Sequence, residues 1–168
     1  MIEIRWHGRA GQGAKTASQL LAAASMAAGK NVQAFPEYGP ERSGAPMRAY
    51  TRIGDQRIRR RYGITEPDAV VVLDETLLRE AAAADGLRDG GVLIVNSERE
   101  LEGAICVPAT RIAAQGAGFV NVVMLGAVAA ALHEPSLDTL LAAAAKKGVA
   151  TADVEAGYHA VEERRWAA

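Results

Sequence analysis

Three glycines in six residues, Gly8-Arg9-Ala10-Gly11-Gln12-Gly13, set out the first chemistry this sequence could perform. Without Cβ atoms a chain turns tightly and lets its N–H groups approach an anion closely. The run that follows, Ala14 to Ala28, consists of good helix formers and is stopped by Gly29. The turn would therefore present N–H groups at a helix N-terminus, where the macrodipole adds about half a positive charge. Two readings stand: a cradle for a phosphate or pyrophosphate, or a tight strand-to-helix turn that holds nothing.

A nucleoside-triphosphatase loop is the sharper alternative. Lys15-Thr16 lies close behind the glycines, and Val70-Val71-Val72-Leu73-Asp74-Glu75 has the look of a strand ending in a magnesium-binding acid. That loop needs its lysine directly after the second glycine. Here Ala14 intervenes and turns Lys15 about 100° around the helix. Asp74 and Glu75 are equally suited to the start of a following helix. A stand-alone P-loop-like nucleotide-binding protein or ATPase is thus kept as the second function class.

The second unusual stretch is Pro36-Glu37-Tyr38-Gly39-Pro40-Glu41-Arg42-Ser43-Gly44-Ala45-Pro46. Its prolines hold charged side chains with little conformational freedom to lose on binding. Glu41 and Arg42 could orient a polar ligand or pair with another subunit; the alternative is a surface turn with a weak ion pair. Arg48, just beyond, is a ligand or interface candidate. Asn121, at the head of an apolar helix, either caps it or belongs to a site. His7 reads as a hydrogen-bonded packing residue and Cys106, between Ile105 and Val107, as a buried structural thiol. The run Arg57, Arg59, Arg60, Arg61 reads as a solvated hairpin arm, with a phosphate or an acidic partner surface as the alternative. No nucleophile with its base stands out.

These residues need elements to position them. Ile2, Ile4 and Trp6 alternate with Glu3 and Arg5 and predict a strand before a glycine loop running from His7 to Gly13. Asn31–Phe35 predicts a second strand. Met47–Ile53 alternates, with Arg48, Tyr50 and Arg52 on one face; Gly54-Asp55 makes a turn and Arg57–Tyr62 a returning arm. Ala69–Leu73, Val92–Val95 and Ala104–Val107 are the continuous apolar runs of buried parallel strands, with a helix at Glu75–Ala84. After Gly118 the pattern is helical, over Val120–Leu132, Leu137–Lys147 and Ala152–Arg165. The expected fold is a single three-layer α/β domain over 1–168: a mainly parallel sheet, a β-hairpin insertion and a helical C-terminal half.

Composition bounds the function. In 168 residues the net charge is −1, which gives no electrostatic case for nucleic acid or an anionic membrane. One cysteine rules out an intrachain disulfide and any iron–sulfur cluster held by this chain alone, since such a centre needs about four thiolates. Three dispersed histidines have no metal-ligand spacing. Glu3 and Arg5 interrupt any signal-like run, so a cytoplasmic location is expected.

Arg5-Trp6-His7-Gly8-Arg9-Ala10-Gly11-Gln12-Gly13-Ala14, the Pro36–Pro46 stretch, Glu66-Pro67-Asp68 before a buried strand and Asn121-Val122-Val123-Met124-Leu125-Gly126-Ala127 together resemble the gamma subunit of 2-oxoacid:ferredoxin (acceptor) oxidoreductases. The likeness spans almost the whole chain; Ala10 stands where the family usually has another glycine. The resemblance implies a subunit rather than a whole enzyme. Thiamine diphosphate with its magnesium and the iron–sulfur clusters would belong to alpha, beta and delta-type partners, which oxidise a 2-oxoacid to an acyl-CoA and pass electrons to ferredoxin or a nicotinamide-linked acceptor. The gamma subunit would contribute assembly and coenzyme A binding, with no catalytic residue or metal ligand of its own. On that basis the candidate ligand contacts are Gly8, Arg9, Gly11, Gln12, Gly13, Glu41, Arg42, Arg48 and Asn121.

Overall fold

The computed structural model describes residues 1–37 and 44–167. In chain order its elements are β1 (Ile2–Arg9), α1 (Ala14–Ala27), β2 (Asn31–Glu37), β3 (Pro46–Gly54), β4 (Ala69–Val72), α2 (Leu77–Glu80), β5 (Val92–Asn96), β6 (Ala104–Val107), α3 (Ala109–Gln115), α4 (Val120–Leu132), α5 (Leu137–Lys146) and α6 (Thr151–Ala167). The strands form one six-stranded sheet in the order β2-β3-β1-β4-β5-β6. The β1/β4, β4/β5 and β5/β6 ladders are parallel, whereas β3 runs antiparallel to both β1 and β2. The α/β class with a mainly parallel sheet and a helical C-terminal half is what the pattern predicts.

Each face of the sheet follows from the two-residue side-chain period. Ile4 and Trp6 of β1, with Val71 and Ile94, join the large core built with α1 and α4. Val70, Val72 and Val95 point the other way and pack with Leu77 and Ala83 in a smaller cluster. Nearly all helical mass lies on the first face. The second is covered by α2 and irregular chain, so the third layer is thin.

Four expectations change. The second arm of the hairpin is β2, not Arg57–Tyr62: β3 already has β1 and β2 on its two edges, so the 57–62 stretch has no edge to pair with. It crosses the second face instead, where Arg52 donates to the Tyr62 carbonyl at 2.8 Å and Arg60 meets Glu3 at 3.2 Å. The Glu75–Ala84 helix is only Leu77–Glu80; beyond it Ala82 takes a positive φ, and the chain delivers the carbonyls of Ala83 and Asp85 to the Arg5 guanidinium. Arg5 thereby gains partners that a regular helix, with its carbonyls consumed internally, would withhold. Finally, α3 is a helix the pattern left unassigned, although Pro108 before it and Gly116 after it mark its limits. Strand β1 also continues through Gly8 to Arg9, so the glycine turn begins later than His7.

Helices α4 and α6 cross at main-chain contact. A Cβ on Gly126 would press into the Val154 carbonyl, and one on Gly157 into the Val123 carbonyl. Reciprocal glycines allow an approach no larger residue permits. Among the described residues no single helix is long and apolar enough to cross a membrane.

Candidate functional site

The glycine turn lies where the sheet changes direction of growth. From β1 the chain crosses by α1 on one face and adds β2 on the far side of β3; from β4 it crosses by α2 on the opposite face to β5. The carboxyl ends of β1 and β4 therefore flank a topological switch point, the position at which open α/β sheets bind ligands.

The three glycines do different work. Gly8 permits close strand-to-helix packing, because its Cβ would lie 3.1 Å from a Leu73 methyl and 3.3 Å from Ala14 Cβ. Gly13 has φ +81° and precedes α1 with no side chain to cap the helix. Gly11 has φ +99° with open space where a Cβ would sit. No acidic side chain occupies the first turn of α1, so nothing there competes for the positive end of its dipole.

Arg9 sets the turn in place. Its Nε donates to Asp74 at 2.9 Å, and its Nη2 donates to Thr76 at 2.6 Å and Glu80 at 2.7 Å. Its Nη1 donates to the Gly44 carbonyl at 3.3 Å. One guanidinium thus joins the turn to the strand-end loop after β4 and to the chain entering β3. Gln12 closes the turn internally: its side-chain oxygen accepts from the Arg9 N–H at 2.7 Å, and its own N–H donates to the Arg9 carbonyl at 2.9 Å. Asp74 is held below the usual carboxylate range: burial works against this, but hydrogen bonds from Thr76 and Arg9 outweigh it. A hydrogen bond from Ser97, with the Arg99 guanidinium, does the same for Glu75.

Asn121 does not cap its own helix. Its amide reaches back 108 positions to donate to the Gly13 carbonyl at 3.2 Å, and a Cβ on Gly13 would collide with it. Beside the turn opens a cleft of about 510 Å3 lined by Gln12, Asp74, Glu75, Asn96, Ser97 and Thr110, among others. The sequence pattern does not single out Asn96, Ser97 and Thr110; the available signal is their place at the last residue of β5, just past it and at the start of α3, beside the carboxyl ends of the strands.

The structure brings together Gly8, Arg9, Gly11, Gln12, Gly13 and Asn121. Arg48 stands apart from them: it pairs across from His7, on the face away from α1, half-exposed beside Glu37 at 3.8 Å. Glu41 and Arg42 lie outside the described residues. The triphosphatase reading is corrected, since Lys15 and Thr16 are exposed on α1 and Asp74 is engaged by Arg9 rather than directed at a metal.

Comparison with known proteins decides the family. Residues 3–163 match the model of the pyruvate ferredoxin/flavodoxin oxidoreductase family. The chain belongs to this family. It is 56% identical over 139 residues to the pyruvate synthase subunit PorC of Thermotoga maritima, covering 76% of this chain and 72% of that one. The common gamma subunit of the pyruvate/ketoisovalerate oxidoreductases of Thermococcus kodakarensis is 47% identical over 153 residues, 83% of each chain. A crystal structure of the Thermotoga maritima pyruvate oxidoreductase subunit PORC superposes with a TM-score of 0.80 at 44% identity, over 96% of this chain and 93% of that one. As a pyruvate/2-oxoacid oxidoreductase gamma subunit, the chain is one member of a multi-subunit oxidoreductase complex.

Proposed function

We propose that this gamma subunit holds a phosphate-bearing part of coenzyme A at the Gly8–Gly13 turn while partner subunits carry out the redox chemistry. The observation that carries this reading is the turn itself: an uncapped, acid-free helix N-terminus at the switch point, preset by Arg9 and Gln12. With no acidic side chain in the first turn of α1, the helix end offers an anion about 0.3–1 kcal/mol from the dipole before any direct hydrogen bond. Gly11 and Gly13 would face the ligand, Gly8 and Asn121 would hold the turn's shape, and Arg9 would keep it ready. Glu41, Arg42 and Arg48 would border the subunit contact.

Thiamine diphosphate, magnesium and iron–sulfur clusters belong in this reading to alpha, beta and delta-type partners. The donor set of this chain does not fit a cluster: its one thiol, Cys106, is buried and accepts from the Leu101 N–H. The subunit is then inactive alone, its residues forming one gamma-type domain that works in the cytoplasm, with ferredoxin or a nicotinamide-linked acceptor reached through its partners.

Calorimetry of the purified complex with coenzyme A tests the assignment. A carboxylate introduced by Gly11→Asp should weaken binding at least ~10-fold through repulsion of the phosphate, whereas Gly11→Asn, with the same shape and backbone demand, should stay within about 3-fold of wild type. Equal affinity for all three proteins would leave the turn empty and overturn the assignment.

A further inference from the structure

The stretch after β3 carries Arg57, Arg59, Arg60, Arg61 and Tyr62, all exposed. Of the four arginines, Arg60 is engaged by Glu3, while no ion pair or hydrogen bond engages the side chains of Arg57, Arg59 and Arg61 among the described residues. The neighbouring carboxylates are already spent. Glu3 takes Arg52 at 2.7 Å, Arg60 at 3.2 Å and Arg88 at 3.0 Å; Asp68 takes Arg88 at 2.6 Å; Asp55 takes Lys30 at 2.7 Å. Glu66, exposed a few residues on, is the remaining acid of this stretch. In a chain of net charge −1, three positive charges within five residues, without an ion-pair partner among the described residues, form a local excess.

That excess is mounted rigidly. Arg52, fully buried, donates to the Tyr62 carbonyl at 2.8 Å and lies 5.5 Å from the centroid of its ring, which is itself 61% exposed. Arg5 donates to the carbonyls of Ile64 and Thr65 just beyond. Nearer its start, Gln33 Nε2 donates to the Ile58 carbonyl at 3.5 Å, and Arg60 meets Glu3 in the middle. The strip is therefore tied to the sheet at several points, most firmly at its C-terminal end, so little chain freedom would be lost on docking. Beside the strip lies a concavity of about 730 Å3 lined by Met1, Gly54, Asp55, Gln56 and Arg57, among others.

We propose that Arg57, Arg59, Arg61 and Tyr62 form a docking strip for a carboxylate-rich surface of a partner polypeptide in the complex. A small phosphate ligand needs donors that converge, whereas alternate residues of this strip spread three guanidinium groups along as much as ~14 Å of chain. Arginine and tyrosine are the residues enriched at protein interfaces, and a charged rim steers association and fixes register. This inference rests on membership in a multi-subunit complex and is independent of the coenzyme A assignment.

Reassembly of the complex from this subunit and its separated partners, followed by native mass spectrometry, provides the test. For wild type, association should weaken at least ~10-fold between about 0.05 and 0.5 M salt. The triple variant Arg57→Gln, Arg59→Gln, Arg61→Gln should bind about 30-fold more weakly at low salt and lose most of the salt dependence. Its thermal midpoint should match wild type, because these side chains make no hydrogen bond or ion pair among the described residues; should it not, the single variants, each weakening assembly about 3-fold, replace it. The corresponding triple lysine variant should assemble and give zero-length carbodiimide cross-links to aspartate or glutamate of a partner chain. Unchanged affinity and salt dependence in the glutamine variant would overturn the proposal. So would intact assembly with selective loss of binding to free pyrophosphate or to an oligonucleotide. Either result leaves the Gly11 experiment, read by coenzyme A affinity, untouched.

Discussion

The two faces of β1 are buried almost equally and by opposite means. Ile4 and Trp6 are shut into the layer of helices, fully excluded from water. One residue away on each side, Glu3, Arg5 and His7 are excluded nearly as completely, at 3%, 6% and 1% exposure. The first face is held by dispersion and apolar burial, which tolerate small shifts; the second by hydrogen bonds to named acceptors, which do not. Arg5 is shared among four main-chain carbonyls and His7 Nε2, while Glu3 gathers three arginines. Even the apolar side keeps one polar thread: Trp6 Nε1 donates to Thr51 at 3.0 Å, and Thr51 to the Ser18 carbonyl at 3.2 Å. A polar residue in an alternating strand marks a face, not exposure to solvent.

The strongest challenge to this contrast is Arg52→Met. It fills the volume but strips a buried Glu3 of its shortest ion pair, so unfolding in urea should show a loss of about 3–5 kcal/mol. Leu125→Ala on the helical face, a cavity in a fully buried position, should cost about 2–5 kcal/mol and serves as the benchmark. A loss below about 1 kcal/mol for Arg52→Met would mean that the charged face is not structurally demanding.

Acid should separate the faces next. Burial, with the charges of Arg5 and Arg48, lowers His7 to about 3. The imidazole therefore stays neutral in the folded protein, accepting from Arg5 Nε at 3.0 Å, while the unfolded chain protonates near pH 6.5. Its contribution is complete above about pH 6.5 and is lost as pH falls from there toward 3. Relative to His7→Gln, which keeps an acceptor for Arg5 without titrating, wild type should lose roughly 2 kcal/mol between pH 7 and pH 5. Parallel pH profiles for the two proteins would remove His7 from this account.

The smallest effect concerns the join between the faces and the site. Asn121→Ala should cost about 1 kcal/mol for the lost hydrogen bond to Gly13, with a further drop in coenzyme A affinity of the complex. A loss of stability alone would make Asn121 a support for the turn only.

Much of this was legible beforehand. Apolar runs placed β4, β5 and β6, and glycines or prolines bounded α1, α4 and α5, because local composition and periodicity determine them. The glycine turn was visible for the same reason. Its anchors were not: Asp74, Thr76 and Glu80 meet Arg9 only because β4 lies parallel beside β1, a pairing that single-sequence periodicity does not carry. The return of Arg57–Tyr62 failed likewise, since strand propensity says nothing about whether an edge is free. The neighbours of Asn121 in sequence leave its role open between cap and site, because its partner is 108 residues distant.

The glycines at 126 and 157 carry one last consequence. With aromatics at 5%, this protein is laminated rather than stuffed, and at that crossing its laminae touch without padding. Even a single methyl group at either glycine would act as a wedge and push the C-terminal rod away from α4. The thickness at this seam is pinned to the smallest amino acid there is.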